Sequence, residues 1–170
     1  MEVINKRRSV RDYLDKEVEK EKIDMILRSA MQAPSACNQQ GTRYLVVKDK
    51  EKLRLVSSKF QTMRFTDKAS FIIVFLIEKE GLIVPNMAPV DAAACVENAM
   101  LEATNQNVGS CWCGVWGREN REEEVRLAFN LPEHLDPFAI VTFGYPKDSG
   151  ALKFIDRYDS NKVFFEEITK

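Results

Sequence analysis

The sequence predicts one α+β domain over residues 1–170, built around a single core. Three observations lead there. Segments with apolar residues at helical spacing alternate with short β-branched and aromatic runs. No internal repeat, low-complexity tract or Gly/Ser linker divides the chain. The length of 170 residues and the 45% hydrophobic content are those of one domain with a substantial interior.

Taken in order, Glu19 to Gln32 sets Ile23, Ile26, Leu27, Ala30 and Met31 on one helical face, and Ala33-Pro34 ends the run. Arg43 to Lys48 reads R-Y-L-V-V-K, a strand, with Asp49 as the N-cap of a helix reaching Lys59. Phe71 to Ile77 is continuously apolar and bounded by charge, the pattern of a central strand covered on both faces. Ala88 to Gln106 is a helix whose broad stripe of Ala92, Cys95, Val96, Ala99, Met100 and Ala103 favours close packing. Asn120 to Phe129 is a shorter amphipathic helix with acidic residues near its start, and Phe138 to Phe143 is a second buried strand. The tail from Lys153 to Lys170 sets Phe154, Tyr158, Phe164 and Phe165 among charges. It is too apolar for a free tail and too short for a domain, so it is expected to lie on another surface, such as a partner subunit.

Composition excludes several functions. With 25 Lys+Arg against 26 Asp+Glu the net charge is −1, so no global basic field draws in nucleic acid or an anionic membrane. The longest apolar run is far shorter than the ~20 residues of a membrane span, and the charged N-terminus does not read as a signal peptide, so the cytoplasm is the expected compartment. Cys37, Cys95, Cys111 and Cys113 do not read as a disulfide framework or a zinc site. The one histidine, His134, has no nucleophile motif beside it, which disfavours hydrolase chemistry. No metal is expected.

Four segments could carry chemistry. Arg7-Arg8-Ser9-Val10-Arg11 gathers three guanidinium groups and a hydroxyl that could surround a phosphate, although a solvated charged face has the same composition. Ala33-Pro34-Ser35-Ala36-Cys37-Asn38-Gln39-Gln40 follows a helix and offers amide donors and acceptors suited to a heterocycle edge, or simply forms a polar turn. In Gly109-Ser110-Cys111-Trp112-Cys113-Gly114-Val115-Trp116, glycines around a Trp/Cys core could bring backbone N–H groups to a flat ligand; the alternative is a buried strand. Lys153 to Arg157 adds late positive charge.

In this order the segments resemble the nitroreductase family of FMN proteins. The resemblance runs from R-R-S-x-R at Arg7 to Arg11 through A-P-S-A-x-N-x-Q at Ala33 to Gln40 and the alanine-rich helix. It continues with G-S-C-W at Gly109 to Trp112, Gly144-Tyr145-Pro146, and Asp156-Arg157-Tyr158, covering about Ile4 to Glu167. It implies a central mixed or antiparallel sheet flanked by helices, and a homodimer with a long buried interface helix and a C-terminal tail reaching the partner.

The resemblance further implies that Arg7, Ser9 and Arg157 hold the FMN phosphate, with Arg8 near the phosphate or ribityl chain and Lys153 as a further contact. Arg11 would face flavin N1 and O2, where a fixed positive charge stabilises the reduced ring. Pro34, Ser35, Ala36 and Asn38 would come from the other subunit, with Gln40 a further flavin-binding residue, so the flavin site lies at the interface. Gly114 or Val115 would offer a backbone N–H to N5, with Cys113 beside them. The implied reaction is ping-pong: NADH or NADPH gives hydride to N5, then a nitroaromatic, a quinone or a similar small aromatic acceptor receives it, with no protein nucleophile. A nitroreductase-fold flavoprotein with another redox substrate, or a non-catalytic flavin sensor or store, shares these motifs. Two departures stand out: Gly41-Thr42 where many members have Pro-Trp, and Cys113 with Val115 where an aliphatic residue and a second glycine are usual. The connection Glu80 to Pro89 is also short for the family.

Overall fold

The computed structural model describes residues 2–148 and 150–168. The chain runs α1 (Glu2–Lys6), α2 (Lys20–Met31), β1 (Thr42–Val47), α3 (Lys50–Lys59), β2 (Phe71–Glu78), α4 (Ala88–Asn105), β3 (Gly109–Gly114), α5 (Glu119–Phe129) and β4 (Leu135–Gly144). Short 3-10 turns at Ala36–Asn38, Gln61–Lys68, Pro85–Met87 and Ser160–Lys162 join them. The strands lie in the order β1-β2-β4-β3, and every ladder is antiparallel, which resolves the expected mixed or antiparallel sheet.

Strand β2 is central because its side chains are apolar in both directions. Phe71, Ile73, Phe75 and Ile77 pack with α2 and α4, whereas Ile72, Val74 and Leu76 pack with α3 and α5 on the opposite face. This period-2 division is what a continuous apolar run encodes when both sheet faces are covered. Phe71 stacks on its β4 partner Phe143 with ring centroids 4.8 Å apart. Helix α3 starts where the sequence indicates: Asp49 accepts a hydrogen bond from the Lys52 N–H at 2.9 Å.

Helix α4 crosses the first face. Ala92, Val96, Ala99 and Ala103 are fully buried, so its small-residue stripe is used inside the chain, against α2 and the sheet. Helix α1 was not legible in the sequence; it buries none of its own residues and lies near α4, where Arg7 pairs with Glu97 at 3.5 Å. Beyond Arg157 the tail leaves its aromatic side chains in solvent: Tyr158 is 77% exposed and Phe165 86%. Its last two residues lie outside those described.

Candidate functional site

The site begins where the N-terminal segment joins the sheet. Ser9 bridges Ser110 in parallel, and the Val10 N–H donates to the Ser110 carbonyl at 2.9 Å, so this segment runs along the outer edge of β3. Tyr13 fixes its far end. The buried Tyr13 hydroxyl donates to the Val10 carbonyl at 2.6 Å and contacts Thr142 Oγ1 at 2.7 Å, and burial pushes the phenol well above its usual titration range. Two glycines permit this approach. A Cβ on Gly109 would stand 2.8 Å from Val10 Cγ2, and one on Gly144 would stand 2.8 Å from Tyr13 Cδ1.

Tyr13 also bridges Pro146, and the Lys147 N–H donates to the Asp12 carbonyl at 3.1 Å. These bonds bring residues 147–157 beside residues 7–12. Between them opens a cleft of about 830 Å³ lined by Arg7, Arg8, Ser9, Arg11, Lys147, Lys153 and Arg157, with Asp12 and Asp148 the acidic residues. Asp12 is engaged by Lys68 at 3.4 Å and Lys147 at 3.9 Å. The cleft therefore carries an excess of positive charge although the chain as a whole has none.

Arg8 is the telling residue in this cleft. Its Nη1 donates to the Arg7 carbonyl at 2.5 Å, but Nε and Nη2 are buried without a hydrogen-bond partner. Buried donors on a charged group are strongly unfavourable unless something accepts from them. An anion with several acceptor oxygens, such as a phosphate monoester, is the chemical complement of this arrangement. The donor set thus fits the phosphate end of a nucleotide-type cofactor. Lys147 belongs to the set although nothing in the sequence marks it, because the Tyr13–Pro146 bridge and its own backbone bond to Asp12 carry it there.

Beyond Val10 the β3 edge is open. In an antiparallel ladder alternate residues turn their N–H toward the neighbouring strand. Val115 is fully buried and donates to the Phe138 carbonyl at 3.2 Å, so its N–H is already used. The alternation then directs the N–H of exposed Gly114 away from β4, toward the open edge, while Arg121 Nη1 donates to the Gly114 carbonyl at 2.8 Å. By the same rule Cys113 turns its backbone to β4, and its side chain is buried on the face shared with α3 and α5.

Cys111 and Cys113 lie on that face as neighbours at i and i+2. The adjacent Cys113 thiol holds the Cys111 thiol down to about 7, the positive charge of Arg11 and the polar side chain of Ser9 assist, and burial opposes. Cys113 is pushed up by its hydrogen bond to Cys111, by burial and by the neighbouring charge, so the pair carries one thiolate rather than two. The Arg11 guanidinium itself sits over the Phe65 ring, 5.9 Å from its centroid.

The loop after α2 lies outside this cleft. Ser35 and Gln40 line a separate cavity of about 340 Å³ with Met31, Thr42, Tyr44 and Cys95. One chain therefore brings Arg7, Arg8, Ser9, Arg11, Lys153 and Arg157 together, and keeps Pro34, Ser35, Ala36, Asn38 and Gln40 apart from them. Among the described residues no helix is long and apolar enough to cross a membrane.

A four-stranded antiparallel sheet covered by helices, with a cationic cleft and an open strand edge side by side, defines an α+β protein suited to a flat ligand with an anionic arm. The chain belongs to the Nitroreductase family, whose sequence model matches residues 4–72 and 54–145. A relative from Archaeoglobus fulgidus, provisionally named an NADH dehydrogenase/NAD(P)H nitroreductase, is 35% identical over 98% of this chain and 97% of its own. The crystal structure of a Clostridium acetobutylicum protein, provisionally named an NADH oxidase, superposes with a TM-score of 0.94 at 39% identity, covering 98% of this chain and 99% of its own. A provisionally named nitroreductase from Desulfovibrio desulfuricans, crystallised in complex with FMN, gives a TM-score of 0.84 at 26% identity, covering 99% and 96%.

Proposed function

We propose that the protein is an NAD(P)H-dependent FMN oxidoreductase that works as a homodimer and reduces a nitroaromatic, a quinone or a similar small aromatic acceptor. The observation that carries this reading is the pair of buried, unpartnered donors Nε and Nη2 of Arg8 in a cleft of basic side chains, in a chain of the Nitroreductase family. Arg7, Arg8, Ser9 and Arg157 hold the FMN phosphate, with Lys147 and Lys153 adding positive charge. Bound FMN supplies two-electron hydride chemistry, accepting from NADH or NADPH and giving to the acceptor. Gly114 orients the ring with its edge N–H. Arg11 sets a positive charge at the pyrimidine side, which favours the reduced state. The partner subunit contributes Pro34, Ser35, Ala36, Asn38 and Gln40, consistent with their separation from the cleft in one chain.

No nucleophile of the protein is needed, because bound FMN carries the hydride while the chain's residues bind and orient it. The test is direct. Purified protein titrated with FMN gains the bound-flavin absorption, anaerobic NADH or NADPH bleaches it, and an acceptor panel then restores the colour. Protein that takes up no FMN, or holds FMN that neither nicotinamide bleaches, overturns the reading.

A further inference from the structure

The loop after α2 holds a shape that its own backbone does not support. Cys37, Asn38 and Gln40 have φ values of 49°, 52° and 48°, so three non-glycine residues within four positions occupy the left-handed region. Such conformations cost free energy at each residue and persist only where the surroundings impose them. The loop's internal bonds are the turn contacts Asn38 N–H to Ser35 carbonyl and Gln39 N–H to Ala36 carbonyl, each 3.0 Å, and Gln40 N–H to Ser35 Oγ at 3.1 Å. The remaining restraint comes from elsewhere in the fold.

At the loop's far end Arg43 Nη1 donates to the Gln40 carbonyl at 2.9 Å; the buried restraint is Asp91, in the first turn of α4, only 6% exposed. Its Oδ1 accepts from the Ala36 N–H at 2.9 Å, and its Oδ2 accepts from Gln39 Nε2 at 2.6 Å. Both carboxylate oxygens are therefore committed to this loop. Gln39 extends the link: its Oε1 accepts from the Val84 N–H at 2.9 Å, and its Nε2 also reaches the Val84 carbonyl at 3.2 Å. Two donors converge on residue 91, so only an acceptor-only side chain satisfies both. An asparagine there would turn one donor toward another. Read as sequence, Asp91 is an ordinary acidic residue in a helix's first turn, and a helix-dipole role needs no burial.

We infer that Asp91 is a positioning residue for the flavin ring: through Ala36 and Gln39 it locks loop 35–40 in the strained shape that presents the loop's hydroxyl and amide groups to the ring. This rests on the functional reading above. It adds a residue that touches no cofactor and that couples the start of α4 to the ring pocket. The loop acts on the ring and the cationic cleft on the phosphate, so the two can be separated with riboflavin, which has the ring and no phosphate.

The experiment titrates FMN and riboflavin into flavin-free wild type and the variants Asp91→Asn, Asp91→Ala, Gln39→Ala and Arg8→Met, following flavin absorption and fluorescence. Loss of preorganisation at the loop weakens both flavins by the same factor, about tenfold or more, and shifts the absorption of bound flavin. Arg8→Met weakens FMN by a much larger factor than riboflavin. Melting curves without flavin identify the variants that remain folded. Gln39→Ala, at a half-buried position, keeps the measurement available if Asp91→Ala does not fold. Folded Asp91→Asn and Gln39→Ala proteins that bind both flavins like wild type, with unshifted spectra, overturn the inference. Wild type that binds neither flavin overturns the functional reading and this inference with it.

Discussion

Replacing Arg8 by methionine separates the two roles that a half-buried guanidinium can have. If Arg8 is structural, its removal destabilises the protein; if it is kept for an anion, the protein without ligand carries it as a burden. The structure favours the second, because Nε and Nη2 are buried with no acceptor and only Nη1 is bonded, to the adjacent carbonyl. Methionine retains most of the aliphatic packing and removes the charge. Exchanging uncompensated buried charge for apolar volume is neutral or stabilising, so the ligand-free variant is expected to equal wild type or exceed it by about 1 kcal/mol. That corresponds to a melting point raised by about 2–4 °C at this chain length.

The affinity moves the other way. A charge-assisted hydrogen bond contributes about 1.5–3 kcal/mol net, which at about 1.4 kcal/mol per decade weakens FMN by roughly tenfold to a hundredfold. Thermal shift reads both effects at once. FMN at a hundred times its Kd stabilises wild type by about 2.7 kcal/mol, and a hundredfold weaker site receives only about 0.4 kcal/mol from the same concentration. A variant that melts several degrees lower without ligand, yet gains the same stabilisation from FMN, refutes the reasoning and makes Arg8 a structural residue.

Other perturbations follow from the same geometry. Gly144→Ala drives a Cβ to 2.8 Å from Tyr13 Cδ1, and the ring cannot retreat because its hydroxyl is held at both Val10 and Thr142. The expected cost is about 1–3 kcal/mol, and an unchanged urea midpoint would contradict it. Asp49→Ala removes the acceptor for the Lys52 N–H and is expected to cost about 1 kcal/mol in the same assay, with FMN affinity unaltered. Stability should also vary with pH through the thiol pair. Cys111 loses its proton near 7 when folded and near 8.5 when unfolded, so its contribution is absent below about 7 and grows as pH rises toward 8.5. Cys113 is shifted upward, so above about 8.5 the unfolded chain loses a proton that the folded one retains, and stability falls again. Under reducing conditions denaturation midpoints should therefore peak near pH 8.5. Cys113→Ala should flatten that peak, and an identical profile in the variant would sink the assignment.

Some of this was legible in the sequence for definite reasons. The central position of β2 follows from its unbroken apolar run, and the α3 boundary follows from Asp49. Strand β3 was ambiguous because Gly-Ser-Cys-Trp-Cys-Gly has little intrinsic strand preference; pairing with β4 makes it a strand. Arg7, Arg8, Ser9 and Arg11 were visible because they are contiguous. Lys147 was not, since its place in the cleft depends on long-range contacts through Tyr13 and Pro146. The left-handed residues Cys37 and Asn38 carry no local signature, and the flanking Ala36 and Gln39 are held by a carboxylate more than fifty positions away in the chain.

Three features of the single chain lack a counterpart within it. Arg8 has buried donors without an acceptor. The loop of residues 35–40 is held under strain but presents its polar groups to nothing in the cationic cleft. The tail exposes Phe154, Tyr158 and Phe165 to solvent, a pattern expected of surfaces that meet something apolar. Helices cover both faces of the sheet, so a flat ligand has access only at a strand edge. The β1 edge carries no comparable cluster of cations, whereas the β3 edge has Ser9 and Val10 along its first half and the free Gly114 N–H farther on. In the proposed dimer, FMN lies along that edge with its phosphate at Arg8, a second copy brings its loop to the ring, and each tail covers the other subunit. Each feature alone has an ordinary explanation, but one arrangement accounts for all three, and it makes the flavin part of what the two chains share.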